Sequence, residues 1–266
     1  MRAVAVILEA LQHLILPCPR PLKRLGVLHG LIALQNRARR CARAWAPHLA
    51  AARSIAVAGM EGVSGRELAV VCGSGLLHDV PLAELAARFE RVVLIDLFHM
   101  PAARRAARRF PNVEMLAHDL SGVLEGLTGV DLPEPKAAIP FGGQADFVLS
   151  ANCLSQIPLA AMDAVAGRFP EDVVEEWGRR LIAAHLDALR ACSGVKVLVT
   201  DVEQQQVVAA TEAVEDTADL LLGLPEPLLA DRQEWWWDLA PAPEAFRTSS
   251  LRHRVVAGRV VAGRVV

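Results

Sequence analysis

The 266-residue chain contains no tyrosine, and its aromatics are limited to seven phenylalanines and five tryptophans. The absence of tyrosine removes the Ser/Tyr/Lys constellation of one class of nicotinamide-dependent oxidoreductases. The other usual mark of such enzymes, GxGxxG, is broken because His78 stands three residues after Gly75. There is no P-loop lysine, no HExxH and no clustered Cys/His, so no metal is expected. The five cysteines (Cys18, Cys41, Cys72, Cys153, Cys192) are odd in number, scattered and without CxxC spacing. They point to a reduced, cytoplasmic protein with no thiolate metal site. Long apolar runs are also missing. Residues 3–16 are interrupted by Glu9, Gln12 and His13, which argues for an amphipathic helix packed on the domain rather than a signal peptide or a membrane span.

What is present is 53% hydrophobic residues with 22% charged, in a chain long enough to bury a sizeable core and too apolar to be disordered. The net charge of −2 hides an asymmetry. Residues 1–66 carry ten basic side chains against Glu9 and Glu61, an excess of eight, which leaves the remainder at −10. Such a segment suits either an anionic partner, RNA or a membrane surface, or a solvated helix face docked on the acidic remainder.

The most informative stretch runs from Glu67 to Gly122. It reads as a buried strand (68–72), a glycine turn (Gly73-Ser74-Gly75), a helix (about 81–89), a strand (92–96), a helix and a third strand (113–117). Strands apolar on both faces and alternating with helices require a parallel sheet covered on both sides, with a ligand at the strand C-termini. Asp96, twenty-one residues beyond Gly75, ends the second strand where a nucleotide-type site places a carboxylate on ribose hydroxyls.

CGSG, VVLIDL, LAHDLSG and, later, ADFVLSANCLSQIP follow one another in the order and spacing of motifs in class I S-adenosylmethionine-dependent methyltransferases, which the chain resembles from about Glu67 to its end. The resemblance implies S-adenosylmethionine as cofactor, with Gly73, Ser74 and Gly75 approaching its methionine and ribose portions. It implies Asp96 on both ribose hydroxyls, Leu97 beside the adenine, Asp119 and Leu120 at the adenine edge, and Ala151 and Asn152 on the floor where donor and acceptor meet. It also implies that the segment before the sheet caps the cleft or recognises substrate. One departure stands out: Ala69 and Val71 occupy the positions of the family's usual acid and first glycine. His78 and Asp79 are polar replacements for that acid, although Asp79 before Val80-Pro81 also reads as a helix cap. His99, His118 and Asp201 are rim candidates for a base, and none is singled out as catalytic. The departure keeps a second reading open, a non-catalytic methyltransferase-like binding or scaffold protein.

Along the rest of the chain, PCPRP (17–21) breaks the first helix. A helical pattern follows over about 25–58, with Pro47 starting a new helix or kinking this one, and 59–65 forms a hinge. The fourth strand is expected at 146–150, a helix from Glu171 to Cys192, the fifth strand at 195–200 with Asp201 and Glu203 past its rim, and a helix over 209–222. Two further strands, 234–239 and 251–261, form a terminal pair, with Trp235 and Trp237 on one face and Trp236 on the other. The five-residue repeat of the tail suits only its first copy to that last strand. The expected fold is therefore α/β, a doubly wound, mostly parallel seven-stranded sheet with helices on both faces and a terminal antiparallel hairpin. The expected domains are a helical N-terminal extension over 1–65 and a Rossmann-like methyltransferase domain over 66–266.

Overall fold

The structure, a computed structural model, describes residues 12–13 and 15–261. The expected helix over 3–16 and the end of the tail fall mostly outside the described residues. The elements run in chain order as α1 (Arg20–Arg24), α2 (Val27–Arg40), α3 (Ala42–Glu61), β1 (Leu68–Cys72), α4 (Leu82–Arg88), β2 (Arg91–Asp96), α5 (Pro101–Ala107), β3 (Val113–Ala117), β4 (Phe147–Ala151), α6 (Leu159–Val165), α7 (Glu171–Ala191), β5 (Val195–Val208), β6 (Val214–Asp219), β7 (Leu229–Ala240) and β8 (Ser249–Val260).

Seven strands form the path β3-β2-β1-β4-β5-β8-β7. β1 through β5 pair in parallel, and β8 enters antiparallel between β5 and β7, as expected of a doubly wound sheet closed by a hairpin. Alternation along β1 explains why both faces need covers. Ala69 and Val71 point to one side, where α3 contributes Ala52, Ile55, Ala56 and Met60 and α4 contributes Leu82 and Leu85. Val70 and Cys72 point to the other, against Ile182, Leu186 and Leu189 of α7. Parallel strand order reverses between β1 and β4, and the loops after their C-terminal ends frame the crevice in which such sheets bind ligands.

Three local expectations are corrected. The helical pattern over 25–58 breaks at Cys41, and Pro47 lies inside α3 rather than at its start. Pro47 is just beyond the first turn, so it removes a single backbone bond from a helix that the sheet holds along much of its length. The supposed hinge is helical as far as Glu61, and its Gly59 is a contact point: a Cβ there would stand 2.4 Å from Cγ2 of Val197.

The largest correction concerns residues 209–222, which form no helix. β5 continues to Val208, turns through Thr211 and Glu212, and returns as β6, an eighth strand added to the expected seven. β8 occupies one edge of β5 along 197–208. The opposite edge is taken by β4 up to Val199 and by β6 from Glu203 onward. Pairing on both edges outweighs the helical propensity of this Ala- and Glu-containing segment.

Candidate functional site

At the mouth of β1, backbone geometry dictates the two glycines. Gly73 has φ 72°, and a Cβ on it would meet Cβ of Cys153 at 2.4 Å and the Ala151 carbonyl at 2.9 Å. The loop after β4 therefore leaves no room for a side chain there. Gly75 has φ 45° for a different reason. Its N–H donates to Oδ2 of Asp96 at 2.6 Å, and a Cβ would find nothing closer than that oxygen and the Gly73 carbonyl, both at 3.8 Å. Space thus lies beside Gly75, next to a carboxylate that burial pushes above the usual range. The N–H groups of Gly75, Phe98 and Leu97 pull it part of the way back. Leu97 is half-buried beside it, and buried Ser74 places Oγ 3.3 Å from His99 Nε2. Burial, aided by the charge of Arg104, pushes His99 down to about 4, so this base candidate is a neutral core ring.

The loop after β3 is shaped by Asp119. Its Oδ1 accepts from the backbone and hydroxyl of Ser121, at 2.9 and 2.5 Å, and its Oδ2 accepts from Leu124 N–H at 2.9 Å. Leu120 is buried between these bonds. Nε2 of neighbouring His118 is buried without a protein partner.

At the mouth of β4, side chains split between the two faces. Ser150 turns toward α7, its Oγ 3.1 Å from Nε2 of His185 and 3.3 Å from Sγ of Cys153. Ala151 is buried. Asn152 has φ 46°, donates its backbone N–H to the Val199 carbonyl at 2.8 Å, and donates from Nδ2 to Oδ2 of Asp79 at 2.6 Å. Asp79 makes no cap: α4 begins after Pro81 with no side-chain cap bond. Leu77, at φ 62°, turns the chain after Gly75 so that Asp79 comes back over the rim. Ala69 and Val71 lie fully buried in the apolar layer.

Trp235 of the expected terminal strand and His48, to which no motif in the sequence pointed, join this group. The indole N–H of Trp235 donates to His48 Nδ1 at 3.1 Å, and His48 stacks on Trp237. An indole only donates, so Nδ1 carries the lone pair and the ring proton sits on Nε2. Burial keeps the ring neutral, pushing it down to about 4. Nε2–H then faces Nδ2 of Asn152 at 3.3 Å, donor against donor. Turning the Asn152 amide over would give His48 an acceptor and would require a proton on Asp79. Two buried atoms around His48 lack protein partners, Oδ1 of Asn152 and Nε1 of Trp237.

Asp201 is a strand residue rather than a loop residue past the rim. The register of β5 with β8 shifts between Asp201 and Glu203, leaving Val202 unpaired as a bulge. That bulge turns Asp201 and Gln204 to the same side. His253 of β8 lies between them, Nδ1 2.7 Å from Asp201 Oδ2 and Nε2 3.1 Å from Gln204 Oε1. Ser155 Oγ donates to Asp201 Oδ1. Burial alone would raise the Asp201 carboxyl, but the bond and charge of His253 and the bond from Ser155 outweigh it and hold it below the usual range.

Helix α2 overlies the same rim. Its Leu28 and Ile32 pack with Phe98 and Met100 of the loop after β2, with Leu76 of the loop after β1 against them. The sequence-selected residues thus divide by loop. Gly73, Ser74, Gly75, Asp96 and Leu97 gather at the mouths of β1 and β2, Asp119 and Leu120 follow β3, and Ala151 and Asn152 lie at the end of β4. Among the described residues, no group of three or more His, Cys, Asp or Glu side chains could hold a metal ion.

No family model matches the chain, and no curated protein does. Solved structures do. A 1,6-didemethyltoxoflavin-N1-methyltransferase from Burkholderia thailandensis, with 1,6-didemethyltoxoflavin and S-adenosylhomocysteine bound, is 14% identical over 91% of this chain and 92% of its own, at a TM-score of 0.44. A structure described as a DhpI complex with SAM and HEP is 13% identical over 90% and 98%, at 0.39. The N-methyltransferase NodS from Bradyrhizobium japonicum, with S-adenosylhomocysteine, is 13% identical over 75% and 83%, at 0.32.

Proposed function

We propose that the chain is an S-adenosylmethionine-dependent methyltransferase. The observation that carries this reading is the Gly75–Asp96 contact, with open space beside it, at the mouths of β1 and β2 in a sheet closed by an antiparallel hairpin. A Cβ would fill that space, and the two oxygens of Asp96, beside the N–H groups of Gly75, Phe98 and Leu97 that lean on them, remain acceptors for ribose hydroxyls. These features fit the cofactor. Gly73, Ser74 and Gly75 would hold its central part, Asp96 and Leu97 the ribose and adenine, and Leu120 with the Asp119-braced loop the adenine edge. Ala151 and Asn152 would face the reacting end.

When bound, the cofactor supplies an electrophilic methyl group on a sulfonium, which leaves as a neutral thioether. The protein's share is then orientation and exclusion of water. Helix α2 over the loops after β1 and β2, and α3 with its His48, supply the cover. Asp201 and His253 form the buried pair at the rim with a proton held between nitrogen and carboxylate.

Residues 1–65 act in this reading as a helical extension that closes the cleft of the domain over 66–266. The basic excess supports an anionic partner, RNA or a membrane surface. Part of it is consumed internally, since Arg37 and Arg40 pair with Glu244. Exposed Arg39 of α2 belongs to the rest of that excess and, with Arg105 of α5, lines one cavity of 170 Å³. No helix among the described residues is long and apolar enough to cross a membrane. Five free cysteines support a reducing compartment such as the cytoplasm.

Calorimetric titration with S-adenosylmethionine and S-adenosylhomocysteine tests the reading, and absence of binding at millimolar ligand would overturn it. The second reading, a non-catalytic binding module, draws on Ala69 and Val71 being buried apolar residues where the family's first motif is polar and open. Binding without turnover across amine, hydroxyl and RNA acceptors would favour it.

A further inference from the structure

The loop after β1 contains an acid that packing does not account for. Asp79 neither caps α4 nor pairs with a described cation. Arg53 is the nearby guanidinium, and its Nη1 is engaged by the His78 carbonyl at 2.8 Å. The His78 imidazole, next in the chain, is pushed below its usual range by burial against the pull of the Asp79 charge, and His48, on the far side of Asn152, is neutral. The bond to Asp79 comes from the Asn152 amide, and Asn152 is itself 92% buried with its Oδ1 lacking any protein donor.

Arg53 and His78 act on Asp79 only from a distance, and a carboxylate without a contact ion pair beside a carbonyl without a donor is an incomplete arrangement. Either orientation of the amide leaves a deficit. With Nδ2 on Asp79, both Asn152 Oδ1 and His48 Nε2–H lack partners. With the amide turned over, Asp79 must hold a proton. A ligand bearing several N–H donors and a positive charge removes the deficit at both oxygens. A neutral hydroxyl gives one donor and no charge, and an anion meets a carboxylate.

We infer that Asp79 and Asn152 form a subsite for a primary ammonium group. The ammonium has two possible carriers, the amino-acid end of S-adenosylmethionine or an amine acceptor. The first assignment rests on the methyltransferase reading, whereas the subsite itself does not. Asp79 is thereby a polar group arriving from the loop after β1, while Ala69 within the strand supplies none.

The test compares the wild-type full chain with Asp79→Asn, a nearly isosteric change, and Asn152→Ala. Three probes are titrated: S-adenosylhomocysteine, 5′-methylthioadenosine, which has the adenosine but no amino acid, and n-propylammonium chloride, followed by its effect on Tm. If the cofactor carries the ammonium, Asp79→Asn weakens S-adenosylhomocysteine by about tenfold or more and leaves 5′-methylthioadenosine unchanged, with Asn152→Ala acting in the same sense. If the acceptor carries it, both adenosine ligands bind the variants as they bind wild type, and propylammonium raises the Tm of wild type but not of Asp79→Asn. The inference is overturned if Asp79→Asn binds S-adenosylhomocysteine as wild type does and propylammonium shifts both proteins equally or neither. Failure of the methyltransferase reading looks different. Neither adenosine ligand then binds wild type, and the propylammonium arm alone decides the subsite.

Discussion

His48 lies flat on Trp237, with ring centroids 4.0 Å apart and planes 8° from parallel. Trp45 meets the same indole edge-on at 4.9 Å and donates its own N–H to the Leu239 carbonyl at 3.0 Å. The two α3 side chains are three residues apart, on one face of the helix, and together they grip β7. The N-terminal segment is therefore fastened to the terminal hairpin as well as to the parallel strands.

Removing that grip costs stability. Trp237→Ala deletes a nearly buried indole touched by Trp45, His48 and His253 and should lower unfolding free energy by about 3–5 kcal/mol in a urea titration. Trp45→Phe keeps most of the apolar contact and loses the bond to Leu239, for about 1 kcal/mol. Equal losses in the two variants would contradict this division.

The two turn glycines should respond differently to alanine. Gly73→Ala drives a methyl group into Cys153 and the Ala151 carbonyl, and the expected outcome is a chain that does not accumulate folded. Gly75→Ala meets no atom closer than 3.8 Å and should fold, with a strain of about 1 kcal/mol from its positive φ. Its methyl group occupies the space beside Asp96, so affinity for S-adenosylhomocysteine should fall by about tenfold or more. A folded Gly75→Ala protein with unchanged affinity would place the ligand elsewhere.

Asp96→Ala should remove most binding of both S-adenosylhomocysteine and 5′-methylthioadenosine, since each carries the ribose. The expected loss is about 100-fold in calorimetry, the worth of two hydrogen bonds to a carboxylate. Full affinity in this variant would refute the ribose assignment.

Mild acid should destabilise the fold through its buried histidines. His48, His99 and His185 are almost wholly buried, and burial pushes each from 6.5 to about 4. Above pH 6.5 both folded and unfolded chains keep these rings neutral. Between 6.5 and about 4 the unfolded chain binds protons that the folded one refuses, so stability falls as pH falls, by up to about 3 kcal/mol per ring. Urea midpoints at pH 7 and pH 5 should differ accordingly, and His99→Gln should shrink the difference. The Asp201 carboxyl, held below its usual range, adds a further loss at lower pH, below 3.8.

The parallel half of the sheet was legible in the sequence because β1, β2 and β4 are buried apolar runs, β1 ending at a glycine and β2 at an acid. β3 lies where the pattern set it, and β1 and β2 agree to within a residue. Beyond Thr200 the signal fails for a physical reason. β5 leaves the parallel sheet and runs out with half-exposed polar residues from Glu203 to Gln206, so neither a buried run nor a clean alternation marks it. Pairing with β6 and β8 fixes it instead, and pairing is not a local property. The site divides in the same way. Gly73, Gly75 and Asp96 announce themselves by residue type at strand ends. Asp79 was visible as a polar residue just after the turn, but its return over the rim depends on the left-handed backbone at Leu77; His48 and His253 are brought there by α3 and by the bulge at Val202, and spacing along the chain carries no trace of these.

β6 also bears on how the chain behaves in a crowded solution. It seals the stretch of β5 that β4 leaves open, and in doing so it becomes the outer strand of that margin. Its sequence, VEDTAD, sets Glu215, Asp216 and Asp219 along it, all exposed. An unpaired row of backbone donors and acceptors invites a strand from another molecule, and a dense row of negative charge repels one of the same kind. The hairpin that no helical reading anticipated thus exchanges a bare polar edge for an acidic one.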